Sequence, residues 1–201
     1  MTQDKGRATS GLPIRGGQTD RQCSKEVREK MKARVSKIDV PIGSEISKRM
    51  VGAHYVDCYQ VPAEIKGRSA LQIWLNHVSK TPSWVNVLMA ARNIIVSALG
   101  LKNLGHLGAV NTAKSTTEYQ VGDRVGIFTL LSISDQEVIL GDFDRHLDVK
   151  VSVYKDNRAI GSIVISTVVH THNLFGKLYM LFVTPIHKLI VPTMLARDGL
   201  S

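Results

Sequence analysis

Leu147-Asp-Val-Lys-Val-Ser-Val-Tyr154 and Ser162-Ile-Val-Ile-Ser-Thr-Val-Val-His170 decide the fold. In the first run Leu147, Val149, Val151 and Val153 alternate with His146, Asp148, Lys150, Ser152 and Tyr154. In the second, Ile163, Ile165, Thr167 and Val169 alternate with Ser162, Val164, Ser166, Val168 and His170. A period of two is that of a pleated strand, whose successive side chains point to opposite faces of a sheet. For both apolar sets to share one face, the connection must have an odd length. The simplest is Asp156-Asn157-Arg158, which pairs Val151 with Ile163 and Val149 with Ile165. The same parity places Asp144, His146 and Asp148 on the face of His170 and His172.

Working outward, Val125 to Ile133 and Glu137 to Leu140 read as strands around a hairpin turn, Ser134-Asp135-Gln136. His54 to Val61 is rich in β-formers and stops at Pro62. Ser69 can cap a helix whose Leu71, Trp74, Leu75 and Val78 fall on one face. Thr81 and Pro82 then suit the cap and first position of a second helix, with Trp84, Leu88, Ala91, Ile95 and Ala98 as its apolar stripe, ending at Gly100. A long helix from Gly176 to Ala196 closes the chain. The order strand, two helices, antiparallel meander and closing helix predicts an α+β, helix-grip (START/Bet v 1-like) domain over residues 39–201. In that architecture a curved antiparallel sheet wraps the last helix and leaves a cavity between them.

Composition bounds the rest. The chain has 201 residues, 43% of them hydrophobic, enough for one buried core. Of the net charge of +9, six units lie in residues 1–38, which carry ten Lys or Arg against four acids. The body is close to balanced, so no nucleic-acid partner is expected. Residues 1–22 are polar and Gly-rich, which predicts disorder. In residues 24–38, Val27, Met31, Val35 and Ile38 predict a basic amphipathic helix, able to contact an anionic surface or to dock on the body. Two cysteines, Cys23 and Cys58, form no framework and point to a reducing compartment. No secretory signal is read at the N-terminus, so a cytoplasmic location is expected. His187-Lys188, Pro185 and Pro192 interrupt the most apolar window, which argues against a transmembrane segment and for a buried or interfacial helix.

Several separated motifs resemble a known family. Pro41-Ile-Gly-Ser-Glu45, Tyr55-Val-Asp57 with Tyr59, Leu140-Gly-Asp-Phe-Asp-Arg-His-Leu-Asp148, Ser166-Thr-Val-Val-His-Thr-His-Asn173, Gly176-Lys-Leu-Tyr179 and Val183-Thr-Pro-Ile-His-Lys-Leu-Ile190 resemble the signature of the bacterial family called domain of unknown function 2867. The likeness covers about residues 40–197. It implies kinship of fold with START-like and polyketide cyclase-like proteins and carries no established activity. Position 186 is Ile where the family's Pro-x-His motif leads one to expect an aromatic.

The densest ionisable cluster is Asp142, Asp144, Arg145, His146 and Asp148. It reads either as an ion-pair ladder on a solvated face or as a cavity mouth where a carboxylate and an imidazole exchange a proton. The catalytic candidates on the second reading are His146, Asp148 and His170. His170 and His172 have the spacing of metal ligands, but His-x-His is short and common, so cross-strand pairing is expected and neither a metal nor another cofactor is assigned. His187 is expected to make a core polar contact, and Trp74, Trp84 and Phe182 to pack in the core. No nucleotide-binding, GxSxG or HExxH motif occurs. Three functions remain open. The first is binding of a small hydrophobic molecule, with a polar anchor from Asp144, His146, Asp148, His170, His172 or His187 and with Trp84 and Phe182 among the walls. The second is a cyclase, dehydratase or hydrolase using a His/Asp pair, and the third an accessory protein docking through its basic tail.

Overall fold

The computed structural model describes residues 35–63, 65, 67–98, 114–156 and 161–198. The tail, the first eleven positions of the 24–38 helix and the middle of the 156–158 turn lie outside them. Strand alternation does produce the expected α+β domain. Seven antiparallel strands form one curved sheet: β1 (Ser36–Lys37), β2 (Tyr55–Pro62), β3 (Arg124–Val125), β4 (Phe128–Ile133), β5 (Glu137–Phe143), β6 (Leu147–Asp156) and β7 (Ser162–Thr171). Their order is β1-β2-β7-β6-β5-β4-β3. Helices α1 (Ala70–Ser79) and α2 (Ser83–Ala98) follow β2, and α3 (Leu174–Asp198) closes the domain.

The β6–β7 hairpin keeps the expected parity but not the expected register. Val151 pairs with Thr167 and Val153 with Ile165, and pairing runs to Asp156 with Ser162, so five residues intervene. Lengthening a loop by two residues costs little closure entropy, so parity alone leaves the register to the packing of the two strands. Two other expectations are corrected. Ser36–Lys37 pair with Tyr59 and Gln60 as an edge strand, so no helix extends to Ile38. The run from Val125 is broken by a tight turn at Gly126 (φ 61°) and Ile127, after which Phe128 returns to pair with Val125.

One face of the sheet carries Tyr59, Val61, Val138, Leu140, Val151, Val153, Ile163 and Ile165. Leu71, Trp74 and Val78 of α1 and Leu195 of α3 cover it. Ser69 caps α1 through a reciprocal capping box with Gln72. Thr81 instead closes α1, its hydroxyl donating to the Val78 carbonyl. The face that α2 buries is Val85 and Asn93, with Met89 packed on the core, while Trp84 is at the surface. Apolar residues all round α2 leave its sequence without a preferred face, and packing chose a different one.

The opposite face buries Ile139 and Val168 under Ile46, from the 3-10 turn Glu45–Arg49. Glu137 fixes that turn. Its buried carboxylate accepts from Ser44 Oγ (2.7 Å), from the backbone N–H of Glu45 (2.6 Å) and Ile46 (3.2 Å), and from Ser152 Oγ. This is the physical content of the Pro41–Glu45 motif. The segment folds back over the sheet and finds an acceptor waiting on β5.

Helix α3 meets the sheet along β2 and β7 and buries Gly176, Met194 and Leu195. Its outer side is bare: Leu174, Leu178, Leu181, Phe182, Ile186 and Leu189 are all exposed. The expected core placement therefore fails for Phe182, which is 66% exposed, and for Trp84, while it holds for Trp74. By length and composition Leu174–Ala196 could cross a membrane, and it is the one described helix that could.

Candidate functional site

The alternation of β2 puts Tyr55, Asp57 and Tyr59 on the face that meets α3, with Thr167 opposite Asp57 and Val169 opposite Tyr55 on β7. His187, about midway along α3, descends onto this row. Tyr55 Oη donates to Asp57 Oδ2 at 2.7 Å, and His187 Nε2 stands 3.2 Å from the same oxygen. The His187 contact has ion-pair distance but poor hydrogen-bond direction, so Nε2 remains without a well-directed partner. The Tyr55 and His187 rings meet edge to face, with centroids 5.9 Å apart and planes at 87°. Asp57 is 3% exposed, and its Oδ1 is buried with no hydrogen-bond partner.

Burial by itself would raise the Asp57 pKa. The His187 imidazole beside it and its charge, together with the nearby Tyr55 and Thr167 hydroxyls, outweigh it and hold the carboxyl below the ordinary value. Burial pushes the Tyr55 phenol well above its usual range, and its bond to Asp57 and the neighbouring carboxylate charge push it the same way. Tyr55 is thus fixed as a donor and Asp57 as an acceptor. A second polar link joins α2 to α3, where Arg92 Nε donates to Tyr179 Oη at 2.9 Å and the guanidinium lies 5.7 Å from the ring centroid.

The motifs Leu140–Asp148 and Ser166–Asn173 meet elsewhere, where α3 begins. Asp144 closes the β5–β6 turn, its Oδ1 accepting from the N–H of His146 (2.6 Å) and Leu147 (2.9 Å). The Asn173 amide lies 3.0–3.2 Å from His146 Nδ1, donates to the Arg145 carbonyl (3.1 Å) and accepts from the Gly176 N–H (3.0 Å), capping α3. His172 N–H donates to the His146 carbonyl at 2.8 Å, and the His146 ring lies on Phe175, centroids 4.8 Å apart. A Cβ on Gly176 would stand 2.2 Å from the His146 carbonyl oxygen. Helix and turn therefore approach as closely as a glycine permits.

The candidates divide accordingly. Asp144 and His146 build the turn. Asp148 and His170 are register partners on the face opposite Asp57, and Asp148 also holds His172 Nε2 at 2.9 Å. His170 Nε2 lies 3.1 Å from the Val51 carbonyl oxygen, leaving a buried Nδ1 without a partner. Of the sequence candidates His187 alone sits between sheet and closing helix. The expected polar contact for it is present, with Asp57 as partner. Sequence reasoning did not select Asp57 and Tyr55, although their i, i+2 spacing on a strand and their place in the Tyr55-Val-Asp57 motif were visible. Among the described residues no group of three or more His, Cys, Asp or Glu is arranged to hold a metal ion.

Fold and site together define an α+β protein in which a curved antiparallel sheet carries a buried carboxylate–imidazole contact beneath its C-terminal helix. The family model described as "Protein of unknown function (DUF2867)" matches residues 49–194, and the chain belongs to that family. No curated protein and no solved structure is significantly similar to it.

Proposed function

We propose that this protein binds a small, largely apolar molecule between the Tyr55–Asp57 face of the sheet and α3, in the manner of START-like proteins. The observation that carries this reading is Asp57: a buried carboxylate with one oxygen engaged by Tyr55 and His187 and the other unmet. A buried acceptor without a partner costs about 1–3 kcal/mol unless something donates to it, and a ligand hydroxyl or amine would do so. Such sites are mostly apolar, with a few placed polar groups. Trp84 and Phe182 have no place as walls here, since both are at the surface. The buried free thiol of Cys58 is in keeping with a cytoplasmic, reducing setting.

Native mass spectrometry of the purified protein is the test. A co-purifying small molecule that is retained by the wild type, lost from Asp57→Asn and His187→Ala, and kept by His146→Ala supports the reading. Retention by the Asp57 and His187 variants refutes it.

A second reading is acid–base catalysis of the cyclase, dehydratase or hydrolase type. A carboxylate beside an imidazole is the pairing such chemistry uses, and Asp57 stands 3.2 Å from His187 Nε2. Turnover of the identified ligand that falls with His187→Gln while binding persists would favour this over binding alone.

A further inference from the structure

We propose that the outward face of α3 is a membrane-interfacial surface, which lies in the plane of an anionic bilayer without crossing it. Leu174, Leu178, Leu181, Pro185 and Leu189 follow one another at three- and four-residue steps along the outer side of α3, with Phe182 beside Leu181. Leu181 is 68% and Leu189 63% exposed. More than half of each of these leucines and of Phe182 is exposed, and a contiguous apolar stripe of this kind marks an interaction surface. The inner side carries Gly176 and His187, so this helix turns its most apolar stripe away from the protein. Helix α2, tied to α3 through Arg92 and Tyr179, adds exposed Trp84 and Val87. Tryptophan is a residue of membrane–water interfaces.

Charge selects the occupant. Between Asn173 and Arg197 there is no Asp or Glu, whereas Lys177 and Lys188, both exposed, line one edge of the stripe. The chain as a whole is +9. Lysines at the rim of an apolar stripe keep their ammonium groups at headgroup level, where anionic lipid attracts them. A second copy fits less well. Two-fold antiparallel pairing centred near Phe182 would bring Lys177 of one chain against Lys188 of the other, with no acid between Asn173 and Arg197 of either helix to answer them. Spanning the bilayer is incompatible with the tertiary ties of α3, since Gly176 is locked on His146 at one end, His187 on Asp57 in the middle and Leu195 in the core at the other. What remains is a helix half embedded on its outer side.

The test uses the full chain and vesicles of phosphatidylglycerol and phosphatidylcholine, with pure phosphatidylcholine vesicles alongside. The wild type is expected to co-sediment with the anionic vesicles, with a blue shift in tryptophan emission and quenching by brominated lipid. Trp74 is buried in the core, so that signal reports Trp84. The double variant Leu181→Glu/Phe182→Glu should lose at least about tenfold in vesicle affinity, and Lys177→Ala/Lys188→Ala about fivefold per lysine. Because all four side chains are exposed, thermal midpoints should be unchanged. Wild type that stays in the supernatant overturns the proposal. So does a Leu181→Glu/Phe182→Glu protein that binds as wild type, which would assign binding to the basic tail. A wild-type dimer that ignores vesicles and becomes monomeric in that variant overturns it in favour of a second copy. Should the variant fail to fold, the quenching of wild-type Trp84 decides alone, and its absence refutes the inference.

Discussion

Removing the Glu137 carboxylate should detach the segment around the 3-10 turn from the sheet. Four donors converge on it: two serine hydroxyls, from Ser44 and Ser152, and two backbone N–H groups, from Glu45 and Ile46. Glu137 is 5% exposed and Ser152 fully buried, so water cannot take the carboxylate's place without opening the structure. A hydrogen bond to a charged acceptor is worth about 1.5–3 kcal/mol net, and a buried donor left unpaired costs about 1–3 kcal/mol. Glu137→Gln keeps one carbonyl acceptor but turns an amide N–H₂ toward donors. It should cost about 2–4 kcal/mol, while Glu137→Ala, which orphans all four donors, should cost about 4–5 kcal/mol. For a chain of this length 1 kcal/mol shifts the thermal midpoint by about 2–4 °C, so the Gln variant should melt roughly 4–16 °C below wild type. Urea unfolding followed by circular dichroism measures the free energy. A double-mutant cycle with Ser152→Ala should show coupling, because both changes act on one carboxylate. If Glu137→Ala costs less than about 1 kcal/mol, the clamp does not hold the turn to the sheet, and the Pro41–Glu45 motif does not owe its residues to this carboxylate.

Other expectations concern the closing helix and the site. Gly176→Ala should destabilise by about 1–3 kcal/mol or more, since the new methyl meets a backbone oxygen that cannot rotate aside; a midpoint within a degree of wild type would show that the α3–turn junction is slack. Asp57 has a folded pKa below its unfolded one. Its contribution to stability is therefore complete above the ordinary Asp pKa and is lost as pH falls through the folded value. Wild type and Asp57→Asn should accordingly differ most near neutrality and converge on acidification below about pH 4, as unfolding free energies measured across that range will tell. Ser69→Ala removes the cap of α1 and should cost about 1 kcal/mol by the same denaturant assay. Deleting residues 1–22, which hold few apolar side chains, should leave the thermal midpoint almost unchanged; a large fall would mean that the tail docks on the body.

Strand alternation was legible in the sequence because it is a local property: each Cβ points opposite to its neighbours whatever the rest of the chain does. That was enough for an antiparallel α+β domain and for the shared face of Asp148 and His170, and the equally local capping pattern and helical spacing made the Ser69 cap and the four-residue apolar face of α1 legible. Register escaped because parity constrains only odd against even, and the alternatives differ by loop entropy too small to read from composition. The buried side of α2 escaped because both its sides are apolar, so neighbouring elements chose between them. Glu137 and Asp57 looked like ordinary polar positions on half-exposed strands. Each became a buried acceptor only because a segment far away in the sequence, Ser44–Ile46 in one case and His187 in the other, folded over it. The reverse happened to Phe182 and Leu181. Their hydrophobicity reads as core in any window of sequence, yet the ties of α3 at Gly176, His187 and Leu195 turn them outward. Apolar character is written in the residue, but which side of a helix meets the protein is set by where its few polar and glycine contacts are anchored.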